Sequence, residues 1–263
     1  LLLPLTGQPI RDFRSTLQAA HAVLDGRRLY PRGPWDELAV WLGAGEVLED
    51  DRSSIELGGE PASGSSFPDA GLYVLDGGES SAVLRCARFQ GRPNHSDQLH
   101  MDLCWRGAAI ALDAGTYLYN APEPWNNSLV GAAVHNTLTV NSQDPMLRAG
   151  RFLLLDWAQG DILMRTACAD GRFELISAQH SGYRSSGMMH RRTVLRVGGR
   201  SWFVIDDLFA LDEPRSGSDP VTARLAWLLP DHPLDVHAAE GSAIIQMSPP
   251  SRPVKRDIAH ENN

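Results

Sequence analysis

A short run of alternating side chains constrains the fold of this chain more than any other feature. Apolar residues take every second position from Leu99 to Trp105, and residues such as His100 stand between them. Alternation of this kind is typical of a β-strand with one buried face. Arg106-Gly107 follows at once and suits a tight turn into a second strand, Ala109–Asp113. The sequence therefore predicts an antiparallel hairpin here.

The same texture continues through most of the chain. From about residue 53, clusters of glycine, serine and aspartate separate short apolar runs, which is typical of an antiparallel sandwich. Further candidate strands are 71–75, 82–89, 135–140, 152–157, 173–177, 191–197, 201–206 and 222–229. We therefore expect a mainly β chain, with an antiparallel β-sandwich domain over residues 51–263.

Residues 1–50 have a helical pattern instead. An apolar stripe recurs at i, i+4, i+7 and i+11, at Phe13, Leu17, Ala20 and Leu24. Gly26 suits the end of this helix, and a second short helix is expected between Pro34 and Gly43. Two helices this short cannot bury their apolar faces alone, so they need partners in the β region or in helices upstream.

Charge and composition exclude some classes of partner. The formal net charge of −8 argues against nucleic acid, which needs a basic surface. An acidic polysaccharide remains compatible, because arginines can cluster locally on an acidic protein. No apolar run is long enough for a transmembrane helix, and the leucine-rich first five residues lack the basic region of a signal peptide. The compartment stays open; a periplasmic or secreted full-length protein is compatible.

Three polar stretches, at residues 92–100, 112–119 and 133–137, contain residue types that bind metals. His95, Asp113 and His135 offer imidazole nitrogen and carboxylate oxygen, the ligands that suit zinc. Their spacing matches no local metal motif, so hydrogen-bonded polar residues near turns are the alternative. His100 is a rival ligand, because a two-residue loop at Arg106-Gly107 places it directly opposite Asp113.

Four sequence blocks recur in an order known from one family. They are 91–100, 110–117, 135–137 and 180–192, the last followed by Trp202 and Asp206. Together they closely resemble the heparinase II/III-like family. The resemblance implies an α/α toroid packed on a C-terminal β-sandwich, with residues 1–50 as the end of the toroid. It also implies cleavage of uronic-acid polysaccharide by β-elimination and one zinc ion held by His95, Asp113 and His135.

One position departs from the family pattern. Several members have a His-x-His pair in the first block, whose first histidine acts near the substrate, and Pro93 stands there in this chain. Proline cannot transfer a proton. Any catalytic role of this chain then falls to the candidates Tyr117, Tyr119 and Arg92, although the tyrosines also suit strand aromatics and Arg92 a plain surface residue.

Candidate substrate-binding residues are those that bind carboxylates or stack on sugar rings. They are Arg92, Asn94, Trp125 and Arg191. Arg92 suits bidentate binding of a carboxylate, and Trp125 lies in a proline-rich loop where stacking is feasible. Arg191 belongs to a basic patch that is explained equally well by strand residues paired with acidic neighbours.

These observations predict one part of a polysaccharide lyase. Its partners are an acidic polysaccharide, such as a glycosaminoglycan or alginate, and an upstream toroid. Because the toroid supplies much of the catalytic machinery in the family, we expect residues 1–263 alone to be inactive. The alternatives are a non-catalytic carbohydrate-binding or structural β module, and a metal-dependent hydrolase on the same sandwich.

Overall fold

The computed structural model describes residues 12–50, 65–211 and 220–248. The chain divides into two compact units, residues 1–61 and 62–263, and each is considered by itself. Among the described residues, no helix combines the length and the apolar character that crossing a membrane requires.

The first unit is helical. It contains the α-helices α1 (Arg14–Asp25) and α2 (Glu37–Trp41), with 3-10 turns at Pro34–Asp36 and Glu46–Glu49. Gly26 ends α1 in the left-handed conformation, as the sequence predicts. A small core of this unit is formed by Ala19, Ala22, Ala39, Ala44 and Leu48.

The apolar stripe predicted on α1 lies outside this small core. Phe13 is 58% exposed and Leu24 81% exposed. The buried face of α1 instead carries small residues and Gln18, whose side-chain oxygen accepts the backbone N–H groups of Leu29 and Tyr30. Within the described residues the stripe is uncovered, as expected for helices too short to bury their apolar faces alone.

The second unit is built from antiparallel strands. The first sheet contains, in spatial order, β1 (Ser66–Phe67), β2 (Leu72–Asp76), β3 (Ser80–Arg85), β4 (Met101–Trp105) and β5 (Ala108–Ala111). Three further strands along the chain are β6 (Leu138–Val140), β7 (Leu147–Gly150) and β8 (Leu153–Leu155). The second sheet contains β9 (Gly160–Ala167), β10 (Phe173–His180), β11 (Met188–Val197) and β12 (Ser201–Ala210). The last strands are β13 (Ala223–Leu225), β14 (Leu234–Ala239) and β15 (Ser242–Met247).

The other described strands form three two-stranded pairs: β13 with β6, β14 with β15, and β7 with β8. In the described residues from 65 onward, helix is limited to short 3-10 turns at 68–70, 128–130, 132–134 and 184–186. Among the described residues, helix beyond single turns is thus confined to the first unit, as predicted.

One hydrophobic core joins the two larger sheets. Leu84 and Met101 of the first sheet and Ile176 and Val194 of the second are all fully buried in it. Since the inward residues alternate with outward ones along β3 and β11, the two sheets form the layers of a sandwich. The antiparallel β-sandwich expected from the sequence is confirmed.

The predicted hairpin is present, but its register changes. Trp105 pairs with Ala108 and Cys104 with Ala109, as the two-residue turn requires, whereas Leu103 pairs with Ala111. One extra residue therefore bulges on β5. The prediction that Asp113 lies opposite His100 in the ladder is wrong, because the bulge shifts the register and β5 ends before Asp113.

Candidate metal centre

His95, Asp113 and His135 come together at one end of the β-sandwich unit. Their potential ligand atoms all lie within 4.8 Å of one another. His135 Nδ1 lies 3.0 Å from Asp113 Oδ2, and the rings of His95 and His135 are 5.3 Å apart between centroids. Atoms that share one ion at about 2.1 Å lie at most about 4.2 Å apart. Small side-chain rotations therefore suffice for all three to reach a common ion.

Each of the three side chains comes from a segment next to a strand. His95 lies in the loop between β3 and β4, and Asp113 follows the end of β5. His135 closes the 3-10 turn 132–134 ahead of β6, and its backbone N–H donates to Ala132 O. The sandwich thus joins residues that are far apart in the sequence.

His135 is the most unusual member of the group. It is fully buried, and neither Nδ1 nor Nε2 makes a hydrogen bond within the described structure. The 3.0 Å approach of Nδ1 to Asp113 is close but not directed as a hydrogen bond. A buried polar atom without a partner costs free energy, so both nitrogens require an explanation. A divalent ion would accept the lone pair of one of these nitrogens.

The electrostatics of the group favour the protonation states that bind a metal. The close His135 ring holds the pKa of the Asp113 carboxyl well below its usual range, against the effect of burial, and the backbone N–H of Gly115 at 2.5 Å adds to this. Burial, together with the neighbouring His135, lowers the pKa of His95. At neutral pH Asp113 is therefore a carboxylate and His95 a neutral imidazole.

His100 adjoins the group but suits a different role. The backbone N–H of Asn136 donates to its Nδ1 at 2.9 Å, so a neutral His100 carries its proton on Nε2. That Nε2 lies 3.1 Å from Asp102 Oδ1 and 3.6 Å from Asp113 Oδ2. With one nitrogen accepting and the other protonated, His100 has no lone pair for an ion. The geometry therefore favours His95 over its rival.

A pocket of about 490 Å³ opens beside His95. It is lined by Arg92, Asn94, His95, Thr116, Tyr119, Asn127, Val130 and Phe152. Arg92 Nη1 donates to Phe152 O at 2.9 Å, and Thr116 Oγ1 lies 3.4 Å from His95 Nε2. The structure thus brings the predicted residues Arg92, Asn94 and Tyr119 to the wall that contains the candidate metal ligand His95.

Four exposed aromatic rings form two pairs, of which the Tyr119–Phe152 pair lines this pocket. Tyr117 and Trp125 form an edge-to-face pair at 6.0 Å, and Tyr119 forms another with Phe152 at 5.2 Å. Tyr117 is 66% exposed and Trp125 55% exposed. Neither tyrosine belongs to a strand, so the interpretation of both as strand aromatics is wrong. The sequence pattern alone did not single out Phe152.

Arg191 lies apart from this group. It is on β11, and its guanidinium lies over the ring of Phe209, 5.0 Å from the centroid. Because successive side chains of a strand point to opposite faces, the fully buried Arg192 points into the sandwich and Arg191 points outward. The structure does not bring Arg191 into the pocket beside His95. The inward residue Arg192 reaches Asn136 instead.

Comparison with known proteins agrees with this architecture. Residues 59–258 match the model of the heparinase II/III-like C-terminal domain. A solved heparinase III gene product is similar at 16% identity and a TM-score of 0.55, over 77% of this chain and 29% of that chain. The heparan sulfate lyase HepC from Pedobacter heparinus is similar at 17% identity and a TM-score of 0.50, over 75% and 28%.

No curated protein matches the chain. At these identities the structural likenesses establish the fold alone, and the chain spans less than a third of either solved enzyme. The family match, in contrast, covers most of the 263 residues. By its sequence and its sandwich, this chain belongs to the heparinase II/III-like family.

Proposed function

We propose that this chain is the metal-binding β-sandwich part of a polysaccharide lyase. The full protein would cleave uronic-acid-containing polysaccharide, such as a glycosaminoglycan or alginate, by β-elimination. The observation that carries the metal part is the convergence of His95, Asp113 and His135, in which neither nitrogen of the buried His135 has a hydrogen-bond partner in the part of the chain that the structure describes. The family match supports the lyase part.

The donor set fits a zinc-like divalent ion. Two imidazoles and one carboxylate leave a fourth position for water or another ligand. Such an ion would pin the loop before β4, the end of β5 and the start of β6 to one another, so its binding energy would add to folding stability. We propose a structural rather than a catalytic role, since Pro93 removes the proton-transfer candidate beside His95.

The neighbouring pocket supplies groups that suit an acidic sugar. Arg92 presents a guanidinium for a carboxylate and Asn94 presents an amide for hydroxyl groups. The exposed rings of Tyr117 and Trp125 suit stacking on a pyranose. β-Elimination further requires a base for the proton next to the carboxylate and stabilisation of the resulting enolate. Tyr119 or Tyr117 is the candidate from this chain, and an upstream toroid would complete the machinery.

The alternative function is a carbohydrate-binding β module without catalysis. Pro93 favours it, because the position that holds a histidine in several members holds a residue that cannot transfer a proton. Both functions predict binding of acidic polysaccharide, and the lyase alone predicts turnover. We would incubate the full gene product, with any sequence that precedes residue 1, with heparan sulfate and with alginate. New ultraviolet absorbance from an unsaturated uronate supports the lyase, and binding without it supports the module.

Elemental analysis tests the metal part directly. Protein purified without chelator is expected to contain about one equivalent of zinc or a similar divalent ion. Asp113→Ala is expected to lose it. Asp161→Ala, which removes an exposed carboxylate paired with Arg88 elsewhere on the sandwich, is the matched control and should keep the ion. Less than about a tenth of an equivalent in the unmodified chain, after dialysis against zinc, would reject the site.

A further inference from the structure

The side chain of Asn136 joins the segments that carry two of the proposed ligands. Its Nδ2 donates to Met101 O at 2.9 Å and to Leu112 O at 3.1 Å. Leu112 immediately precedes Asp113, and Asn136 itself immediately follows His135. One buried amide therefore fixes the separation between the backbones of these two ligands.

Asn136 is also held on its other sides. Its Oδ1 accepts the backbone N–H of Leu228 at 2.5 Å, and its own N–H donates to His100 Nδ1 at 2.9 Å. Its carbonyl accepts Arg192 Nη1 at 2.6 Å. The side-chain Nδ2 and Oδ1 and the backbone N–H and carbonyl of Asn136 therefore all have protein partners, and the residue is fully buried. A residue bonded on every side moves little.

Arg192 extends this support to the segment ahead of β4. The same Nη1 donates to Leu99 O at 2.7 Å, while Nε and Nη2 donate to the two carboxylate oxygens of Asp206 at 2.8 and 2.9 Å. The guanidinium is fully buried. Its planar shape lets this one guanidinium bind a carboxylate on β12 and two backbone carbonyls near the candidate metal ligands.

The carbonyl at Leu99 belongs to a strained position. Leu99 has φ of 58°, in the left-handed region that favours glycine, and its side chain is fully buried. Such a conformation persists only where surrounding contacts over-determine it. Here Arg192 bonds its carbonyl and Arg85 O accepts its N–H at 2.9 Å. This turn directs His100 toward Asp113 and ends the loop that carries His95.

A chain of two buried histidines, His180 and His190, leads to Asp206 and orients its carboxylate. Gly182 N–H donates to His180 Nδ1 at 3.0 Å, so neutral His180 carries its proton on Nε2 and directs it to His190 Nδ1 at 3.2 Å. His190 Nε2 in turn lies 2.7 Å from Asp206 Oδ1. The carboxylate that orients Arg192 is therefore itself oriented.

We propose that Asn136 and Arg192 are positioning residues for the candidate metal site. They hold the backbones beside His135 and Asp113 so that these two ligands converge before an ion binds, and neither contacts the ion. This inference rests on the proposed metal site. In this proposal the two sheets stabilise the fold, whereas the hydrogen bonds of Asn136 and Arg192 fix the geometry of the ligands.

The test compares variants of two arginines on one strand. Arg192→Lys keeps the charge but cannot span Asp206 and two carbonyls. Arg196→Lys is the matched control: Arg196 is also on β11, is 2% exposed, and donates to Gly171 O and Gly198 O, away from the candidate metal site. Zinc affinity is measured by competition with a chromophoric chelator, well below the unfolding temperature. We expect about 10- to 100-fold weaker binding for Arg192→Lys and unchanged binding for Arg196→Lys.

A second variant and a second readout guard against misfolding. Asn136→Asp is isosteric but turns the two donors toward Met101 O and Leu112 O into acceptors. In the cobalt-substituted protein, we expect the visible absorption bands of Arg192→Lys and Asn136→Asp to shift in position or intensity, which lost stability alone does not cause. Native-like near-ultraviolet circular dichroism establishes folding; if one variant does not fold, the other decides.

The outcomes separate this inference from the metal site itself. If the unmodified chain binds neither zinc nor cobalt, the proposed site and this inference both fail. If it binds them and the folded variants show unchanged affinity and unchanged cobalt spectra, the site stands and the positioning role is refuted. Equal loss of affinity in Arg196→Lys would also refute it, since the effect would then be general destabilisation.

Discussion

His135 Nδ1 lies 3.0 Å from Asp113 Oδ2, yet among the described residues neither ring nitrogen of His135 makes a hydrogen bond. In a fully buried imidazole this arrangement is costly, whereas around a shared divalent ion it is the expected one. The Asp113 pKa is held well below its usual range, mainly by that close ring. The carboxylate is therefore ready to bind an ion at neutral pH.

The first prediction concerns stability with and without metal. Added zinc should raise the melting temperature of the unmodified protein, because a ligand that binds only the folded state stabilises it in proportion to the logarithm of its concentration. Asp113→Ala should abolish this dependence. Differential scanning calorimetry over a zinc series measures it. An Asp113→Ala protein that is stabilised by zinc as strongly as the Asp161→Ala control would contradict the assignment.

The second prediction separates the two histidines that compete for the same role. His95→Ala should remove the ion, because it removes a ligand. His100→Ala should keep about one equivalent but bind it more weakly, by about tenfold or more, because His100 is held by Asn136 N–H and only faces the carboxylate. Metal content and chelator competition measure both. If His100→Ala lost the ion and His95→Ala kept it, the two roles would be reversed.

The third prediction is a pH dependence of stability that arises at His180. Burial, then the neighbouring His190 and Arg192, lower the pKa of His180 well below 6.5. In the unfolded chain this histidine takes up a proton near pH 6.5, while in the folded chain it stays neutral. The unfolded state then binds more protons, so the contribution of His180 is fully present above about pH 6.5 and is lost as pH falls, by up to about 1.4 kcal/mol per pH unit.

Denaturant unfolding at several pH values between 5 and 7 measures that slope. His180→Gln should make the free energy of unfolding less dependent on pH, although the variant is less stable overall because the hydrogen bond to His190 changes. His237→Gln replaces an exposed histidine of β14 and controls for the loss of an imidazole as such. Parallel curves for the unmodified and His180→Gln proteins would show that His180 does not contribute.

The sequence predicts the sandwich well because its signals are local. Alternation around Met101 and the turn at Arg106-Gly107 depend only on neighbouring residues, and the strand and hairpin that they predict are both present. The bulge beyond Leu103 depends on packing across strands, so the inferred register failed there. The helix pattern was equally local. It identified α1, but not that Gln18 and small residues would form the buried face.

The candidate metal ligands, in contrast, could not be predicted from local signals. Nothing local links His95, Asp113 and His135, and the resemblance to a family, rather than spacing, selected them. The supporting residues are harder still to predict, because Arg192 on β11 reaches Asn136 from 56 positions away in the sequence. An Asn next to a His carries no signal of its own. The sequence pattern suggested Arg191 as a functional residue, whereas the inward position on β11 is that of Arg192.

The last prediction concerns sugar binding at Trp125, which stands in the chain between the pocket residues Tyr119 and Asn127. Trp125→Ala should weaken binding of alginate or heparan sulfate by roughly 2- to 10-fold, since a stacking contact contributes about 0.5–1.5 kcal/mol. Trp125 is 55% exposed and packs edge-on against the exposed Tyr117, so its removal should leave the fold intact. Affinity electrophoresis in gels containing each polysaccharide measures the effect.

Two further variants identify the source of that effect. Trp105→Ala removes another exposed tryptophan, 38% exposed at the β4–β5 turn, and should leave binding unchanged. Arg92→Gln should weaken binding mainly at low salt, because the interaction of an exposed guanidinium with a carboxylate is screened as ionic strength rises. If Trp105→Ala weakened binding as much as Trp125→Ala, the polysaccharide would have no preference for the Trp125 region, and the proposed binding surface would be wrong.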